Sequence, residues 1–155
     1  MDIKRRVKNL EKKYGTRNPY SLCSMLKIEI FYLDLGDIKG IYKKILGNKF
    51  IVINEKLDEF CQKVVLAHEL GHAILHNSKE VQALKDYDLF PRLNNKIELE
   101  ANTFAAELLI DDNYIDDYIE NPSLDIKLLE QLRELKKKWK EKYGNRWTFS
   151  RFERK

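Results

Sequence analysis

Apolar positions recur along this chain with two periods, and the change from one to the other marks out its elements. Ile3, Val7 and Leu10 fall four and three residues apart, which predicts an amphipathic helix over residues 2–14, ended by Gly15. Pro19 suits the first turn of a second helix, residues 19–26, with Leu22, Cys23, Met25 and Leu26 to bury. Residues 28–33 are rich in Ile, Phe and Tyr and read as a strand. Gly36-Asp37 makes a turn into a second strand, residues 38–45, carrying Ile41 and Tyr42. Gly47-Asn48 is a hairpin signal, and residues 50–53 form a third strand. Asn54 then reads as the N-cap of a long helix, with Glu55, Asp58 and Glu59 near its positive end. That helix runs through His76 and stops at Asn77-Ser78.

Beyond it the pattern loosens. Residues 79–95 carry Leu84, Tyr87, Leu89 and Phe90, but Pro91 and Asn94-Asn95 break any helix; the stretch is a cleft wall or an ordinary connector. Residues 96–110 are a second strong helix. Residues 115–119 form a short helix, Asn121-Pro122-Ser123 is a break, and residues 124–143 form a last helix ended by Gly144. The expected fold is α+β: a small three-stranded antiparallel sheet packed on the long central helix and followed by further helices. Residues 1–125 make the domain, and residues 126–155 add a helix and a basic tail to the same unit.

Composition narrows the class. With 155 residues, 43% hydrophobic and 35% charged, the chain can bury one core and reads as a soluble globular protein. No apolar run approaches the ~20 residues of a membrane span. The first residues, MDIKRRVKNLEKKYG, lack the apolar centre of a signal peptide, so a cytoplasmic location is expected. Cys23 and Cys61 read as small buried hydrophobes and not as a disulfide framework. The net charge of +4 is unevenly spread: both ends are basic, whereas residues 111–125 contain no Lys or Arg. That asymmetry reads first as a solvated surface.

The chemistry concentrates in Val64 to His76, VVLAHELGHAILH. His68, Glu69 and His72 form H-E-x-x-H. On a helix, i and i+4 side chains share a face about 5–6 Å apart at Cβ, so two imidazoles can reach one zinc ion at about 2.0–2.1 Å. Glu69, one residue after the first His, can reach the attacking water without taking a ligand position. The stretch is otherwise apolar and predicts a buried helix, where unpaired polar groups are costly. A bound metal accounts for them better than chance does.

A catalytic zinc site needs a third protein ligand. His76 lies one further turn along, but three histidines on a straight helix span about 12 Å and cannot converge on one ion. His76 is better read as supporting a ligand, lining a cleft or capping the helix. On the second strong helix, Glu98, Ala101, Asn102, Ala105 and Leu109 share a face whose alanines permit close approach. Glu100, Thr103 and Glu107 share a face that reads as polar and solvated. Glu98 is therefore the preferred third ligand and Glu100 the alternative. Asn102 is placed to hydrogen-bond a ligand histidine.

In order, Y-S-L-C-S-M-L, K-G-I-Y, I-V-I-N, A-H-E-L-G-H-A-I-L-H and E-L-E-A-N-T-F-A-A-E-L-L-I resemble the ImmA/IrrE family of metallo-endopeptidases over residues 19–112. The resemblance implies a small zincin with a three-stranded sheet on the H-E-x-x-H helix and a glutamate ligand from the following helix. Residue by residue it implies His68, His72 and Glu98 as ligands and Glu69 as base. One departure is that Ile110 is followed by Asp111-Asp112, where the family often has an apolar residue and then proline. The implied substrate is a helix-turn-helix repressor of a phage or other mobile element.

The expected reaction is peptide-bond hydrolysis, with Tyr42 and His76 as candidate oxyanion partners. Two readings compete. One is a non-proteolytic zinc-containing module that binds a repressor, nucleic acid or toxin partner; three good ligands beside a well-placed base favour catalysis over it. The other is nucleic-acid binding through the basic residues from Lys136 to Arg154, with Trp147 and Phe149 among them. A solvated helix face is the simpler account of that segment, and nucleic acid is not the expected partner.

Overall fold

The computed structural model describes residues 1–76, 84–85 and 96–110, together with residues 133, 134 and 137. The expected helix at 115–119, most of that at 124–143, the basic tail and most of the 79–95 connector lie outside the described residues.

Helix α1 (Ile3–Tyr14) buries Ile3 and Val7, is capped by the Asp2 side chain on the Arg5 N–H, and ends at Gly15 with φ of 72°. Gly15 supplies the left-handed conformation that stops the helix without a Cβ penalty. Helix α2 (Pro19–Met25) is capped by Asn18 and has Pro19 in its first turn. Strands β1 (Ile28–Leu33), β2 (Ile38–Ile45) and β3 (Asn48–Asn54) follow, then α3 (Glu59–Leu75). Leu84–Lys85 pair as a two-residue strand, β4, with Ile38 and Gly40 of β2. The last described helix is α4 (Lys96–Leu109).

The α+β class holds, with the sheet packed on α3. The sheet is mixed, however, and not wholly antiparallel. Its order is β1-β3-β2-β4, with β2 and β3 antiparallel and β1 and β3 parallel. The chain leaves β1 and crosses the end of the position that β3 will take. The β2–β3 hairpin then folds β3 back into the gap, so β2 itself serves as the crossover that a parallel pair requires. Three hydrogen bonds hold the crossing: Glu55 N–H to the Leu33 carbonyl at 2.9 Å, and Asn54 Nδ2 to the carbonyls of Gly36 (3.1 Å) and Ile38 (2.9 Å).

Asn54 is thus committed to the sheet and is not the N-cap of α3. Asp58 caps it instead, accepting from the Cys61 N–H at 2.8 Å. The hairpin turn also falls one residue earlier than expected. Ile45 pairs with Asn48, and Leu46-Gly47 turn with φ of 51° and 81°. Two positive φ values give the turn whose twist suits an antiparallel pair. Its register is set by burial, because Tyr42 opposite Ile51 must face α3, and a one-residue slip would turn both outward.

The core lies between the sheet and the helices. Tyr42, Ile51 and Ile53 meet Val64, Val65 and Ala67 in one cluster, which Phe104, Ala105 and Leu108 of α4 extend. Cys23 and Cys61 are buried and form no disulfide, as expected, and burial pushes the Cys23 thiol up to about 12. Helices α3 and α4 touch at Gly71, where an added Cβ would lie 3.3 Å from the Ala101 Cα and 3.1 Å from the Phe104 ring. The expected solvated face of α4 is buried: Glu100, Thr103 and Glu107 are 6%, 1% and 6% exposed. Packing by both α3 and α1 covers the helix, and Arg17, just after α1, donates to the Glu107 carbonyl at 3.0 Å. Among the described residues no helix is long and apolar enough to cross a membrane.

Candidate metal centre

His68, Glu69 and His72 are fully buried on α3, and Glu98 stands in the first turn of α4. The small residues at the α3–α4 contact bring Glu98 onto the two histidines. His68 Nε2 lies 3.1 Å from Glu98 Oε2, and His72 Nε2 lies 3.1 Å from Glu98 Oε1. The two Nε2 atoms are 3.1 Å apart. Donors placed tetrahedrally around an ion at about 2.0–2.1 Å are separated by about 3.3 Å, so the spacing fits one ion held by all three. Glu98 Oε1, despite its nearness to His72, makes no hydrogen bond. Side chains aimed at a common point, and not at one another, produce that arrangement. Among the described residues, His68, His72 and Glu98 form the group of side chains that could hold a metal ion.

The electrostatics separate the two carboxylates. Burial acts to raise both. For Glu98 the His68 and His72 imidazoles outweigh it and hold the carboxyl down at about 2. For Glu69 burial wins and pushes the carboxyl up to about 7, with His68 opposing from nearby. Neither Glu69 oxygen has a hydrogen-bond partner. Burial lowers His72; at His68 the same burial is overcome by Glu98 and Glu69, and the imidazole is raised. One carboxylate ionised on the histidines beside another tuned near neutrality matches a ligand and a base.

The remaining candidates are placed as follows. Asn102 is buried and its Oδ1 makes no hydrogen bond, nor does His68 Nδ1, but Asn102 acts to raise His68, so the two side chains are neighbours. His76 is not in the metal-holding group. Its Nδ1 is 3.1 Å from His72 Nδ1 and its Nε2 is 2.8 Å from Glu100 Oε2. Glu100, the alternative ligand, is accordingly turned to His76 and away from the His68–His72 pair. Tyr42 is 3% exposed and belongs to the core, where burial raises its phenol.

Gly40 was not among the sequence candidates. A Cβ there would lie 2.5 Å from Val65 Cγ1 and 3.3 Å from Glu69 Cγ, so β2 passes directly over Glu69. The available signal was a glycine inside a strand, a mark of close backbone approach. Gly40→Ala is expected to destabilise the protein by about 1–3 kcal/mol by forcing β2 away from α3. Thermal unfolding checks this, and Val65→Ala in the same chain should recover most of the loss; an unchanged melting temperature for Gly40→Ala alone would contradict the close approach.

A buried H-E-x-x-H helix joined by a carboxylate from the next helix, beneath a small mixed sheet, defines a metallopeptidase. Residues 23–145 match the peptidase M78 family, described as the IrrE N-terminal-like domain. The chain belongs to this family. It is 44% identical over 117 residues to the uncharacterized immunity region protein 2 of Bacillus phage phi105, covering 75% of this chain and 73% of that one. It is 37% identical over 117 residues to metallopeptidase ImmA of Bacillus subtilis strain 168, covering 74% of this chain and 67% of the relative. It is 31% identical over 122 residues to the radiation response metalloprotease IrrE of Deinococcus deserti, covering 75% of this chain but 43% of that protein.

Proposed function

We propose that this protein is a cytoplasmic zinc-dependent endopeptidase that cuts a helix-turn-helix repressor of a phage or other mobile element. The observation that carries the reading is the convergence of His68, His72 and Glu98 beside a buried carboxylate with no partner of its own, Glu69. Two imidazoles and one carboxylate are a catalytic zinc donor set, which leaves a coordination position for reactants. His68, His72 and Glu98 would hold the ion, which when bound supplies Lewis acidity to activate water and polarise a carbonyl. Glu69 accepts the proton of the attacking water at its carboxylate and returns it to the leaving amine. The low pKa of Glu98 keeps it ionised as a ligand. Asn102 acts on His68 and is placed to support that ring. The repressor substrate is supported by the likeness to a phage immunity-region protein and to ImmA.

The test is incubation of zinc-loaded protein with the helix-turn-helix repressor encoded beside it, in parallel with Glu69→Gln. A discrete fragment from the wild type, reduced by about 10²–10⁴ in rate in the variant, is expected. Capture of the repressor with zinc bound but no cleavage would replace the peptidase by a regulatory binding module. Equal cleavage by both proteins would remove Glu69 as the base.

A further inference from the structure

We propose that His76 and Glu100 fix the tautomer and ring orientation of His72 through a one-way chain of hydrogen bonds. They would act as positioning residues of the metal site. The inference rests on the reading of His72 as a ligand through Nε2.

The geometry is built by the end of α3. Leu75 is its last residue, and His76 leaves the helix in extended conformation, with φ of −126° and ψ of 159°. The His76 ring then lies 5.3 Å from the His72 ring, centroid to centroid. His72 Nδ1 and His76 Nδ1 face each other at 3.1 Å, and His76 Nε2 faces Glu100 Oε2 at 2.8 Å. The His76 and Glu100 side chains are 5% and 8% exposed, so neither is a loose surface contact. The other Glu100 oxygen lies 3.8 Å from Lys96 Nζ, an exposed cation.

The direction of the chain follows from what each atom can do. An ionised carboxylate only accepts, so His76 carries its hydrogen on Nε2 and donates it to Glu100. A His76 that carries this single ring hydrogen has a bare Nδ1, which accepts. The facing His72 Nδ1 must therefore carry the hydrogen and donate. That leaves His72 Nε2 bare on the side of His68 and Glu98, the form in which an imidazole binds a metal. The opposite tautomer of His72 would set two bare Nδ1 atoms against each other at 3.1 Å. The E-x-E of α4 thus carries two roles: Glu98 meets the ligand nitrogens, and Glu100 acts on one of them from behind, through His76. His68 has no such chain, since its Nδ1 is unpartnered.

The chain contains three histidines, His68, His72 and His76, which makes ring-nitrogen NMR of the whole zinc-loaded protein readily assignable. Long-range proton–nitrogen spectra of histidine-labelled wild type should show His76 protonated at Nε2 and His72 at Nδ1. A hydrogen on His76 Nδ1 would overturn the proposal. Zinc affinity, measured by competition with a chromophoric chelator, should fall by about 10- to 100-fold in His76→Leu. His76→Gln, whose amide accepts from one side and donates to the other, should recover most of the loss. A merely structural ion pair would lower the melting temperature without moving the His72 tautomer. Unchanged affinity in His76→Leu would sink the chain alone, provided that His72→Ala loses zinc. If His72→Ala bound zinc as the wild type does, the ligand reading itself would fail. The tautomer readout uses the wild type, so it decides the case even where His76→Leu does not fold.

Discussion

Metal-free Glu69→Gln is expected to be more stable than metal-free wild type at alkaline pH, by up to about 3 kcal/mol, and to lose that advantage in acid. The Glu69 carboxyl titrates at about 7 in the folded chain, against an ordinary value of 4.5, because burial penalises its charge. Between those values the folded state holds a proton that the unfolded state has released. Stability therefore falls as pH rises through the window, and the full penalty persists above it. Glutamine has the same shape and no charge to bury, so it carries no such slope. Urea unfolding of chelator-treated proteins at about pH 5 and about pH 8 reads the difference directly. A gap that is the same at both pH values would show that Glu69 is not destabilised by burial. The residue that this substitution relieves is the one whose loss should stop cleavage. A carboxylate kept where it weakens the fold is the expected signature of a group retained for chemistry.

The second large effect concerns two glutamates two residues apart. Glu98→Ala is expected to abolish zinc binding at micromolar metal and with it all cleavage. On the proposed assignment its loss removes one of three ligands and should exceed the roughly 100-fold penalty attached to a partner behind a ligand. Glu100→Ala should retain zinc, with affinity lowered only within that range. The reason is geometric: Glu98 presents both oxygens to His68 and His72 at 3.1 Å, whereas Glu100 meets His76 at 2.8 Å. Parallel zinc titrations distinguish the two. If Glu100→Ala released the metal as completely as Glu98→Ala, the ligand assignment would move to Glu100.

Local information went far in this chain. Ile3 and Val7, the Gly15 stop, Pro19 in a first turn and the runs that became β1, β2 and β3 are each decided within a few residues, by periodicity and turn chemistry. The H-E-x-x-H spacing acts in the same way, because the helix repeat alone puts His68 and His72 on one face. Glu98 was legible one step further off, since Ala101 and Ala105 on its face announce a close helix neighbour.

What remained hidden depends on partners distant in sequence. Apolar strand residues show that a strand exists but not which strand it pairs with, so the parallel β1–β3 pair was missed. Asn54 looked like a helix cap because its side chain suits one; its bonds to the Gly36 and Ile38 carbonyls appear only when β1, β2 and β3 are assembled. The polar face of α4 looked solvated because charge usually means solvent, yet packing by α1 and α3 buries Glu100 and Glu107. The same packing sets Gly40 over Glu69 and aligns His72, His76 and Glu100. The sequence by itself determined the local elements and the metal-binding pattern, since both follow from the repeat of a single helix or strand. Only the tertiary structure decided which carboxylate meets the histidines, which is left uncompensated and which stands behind, since those differences arise from burial and distance between separate elements.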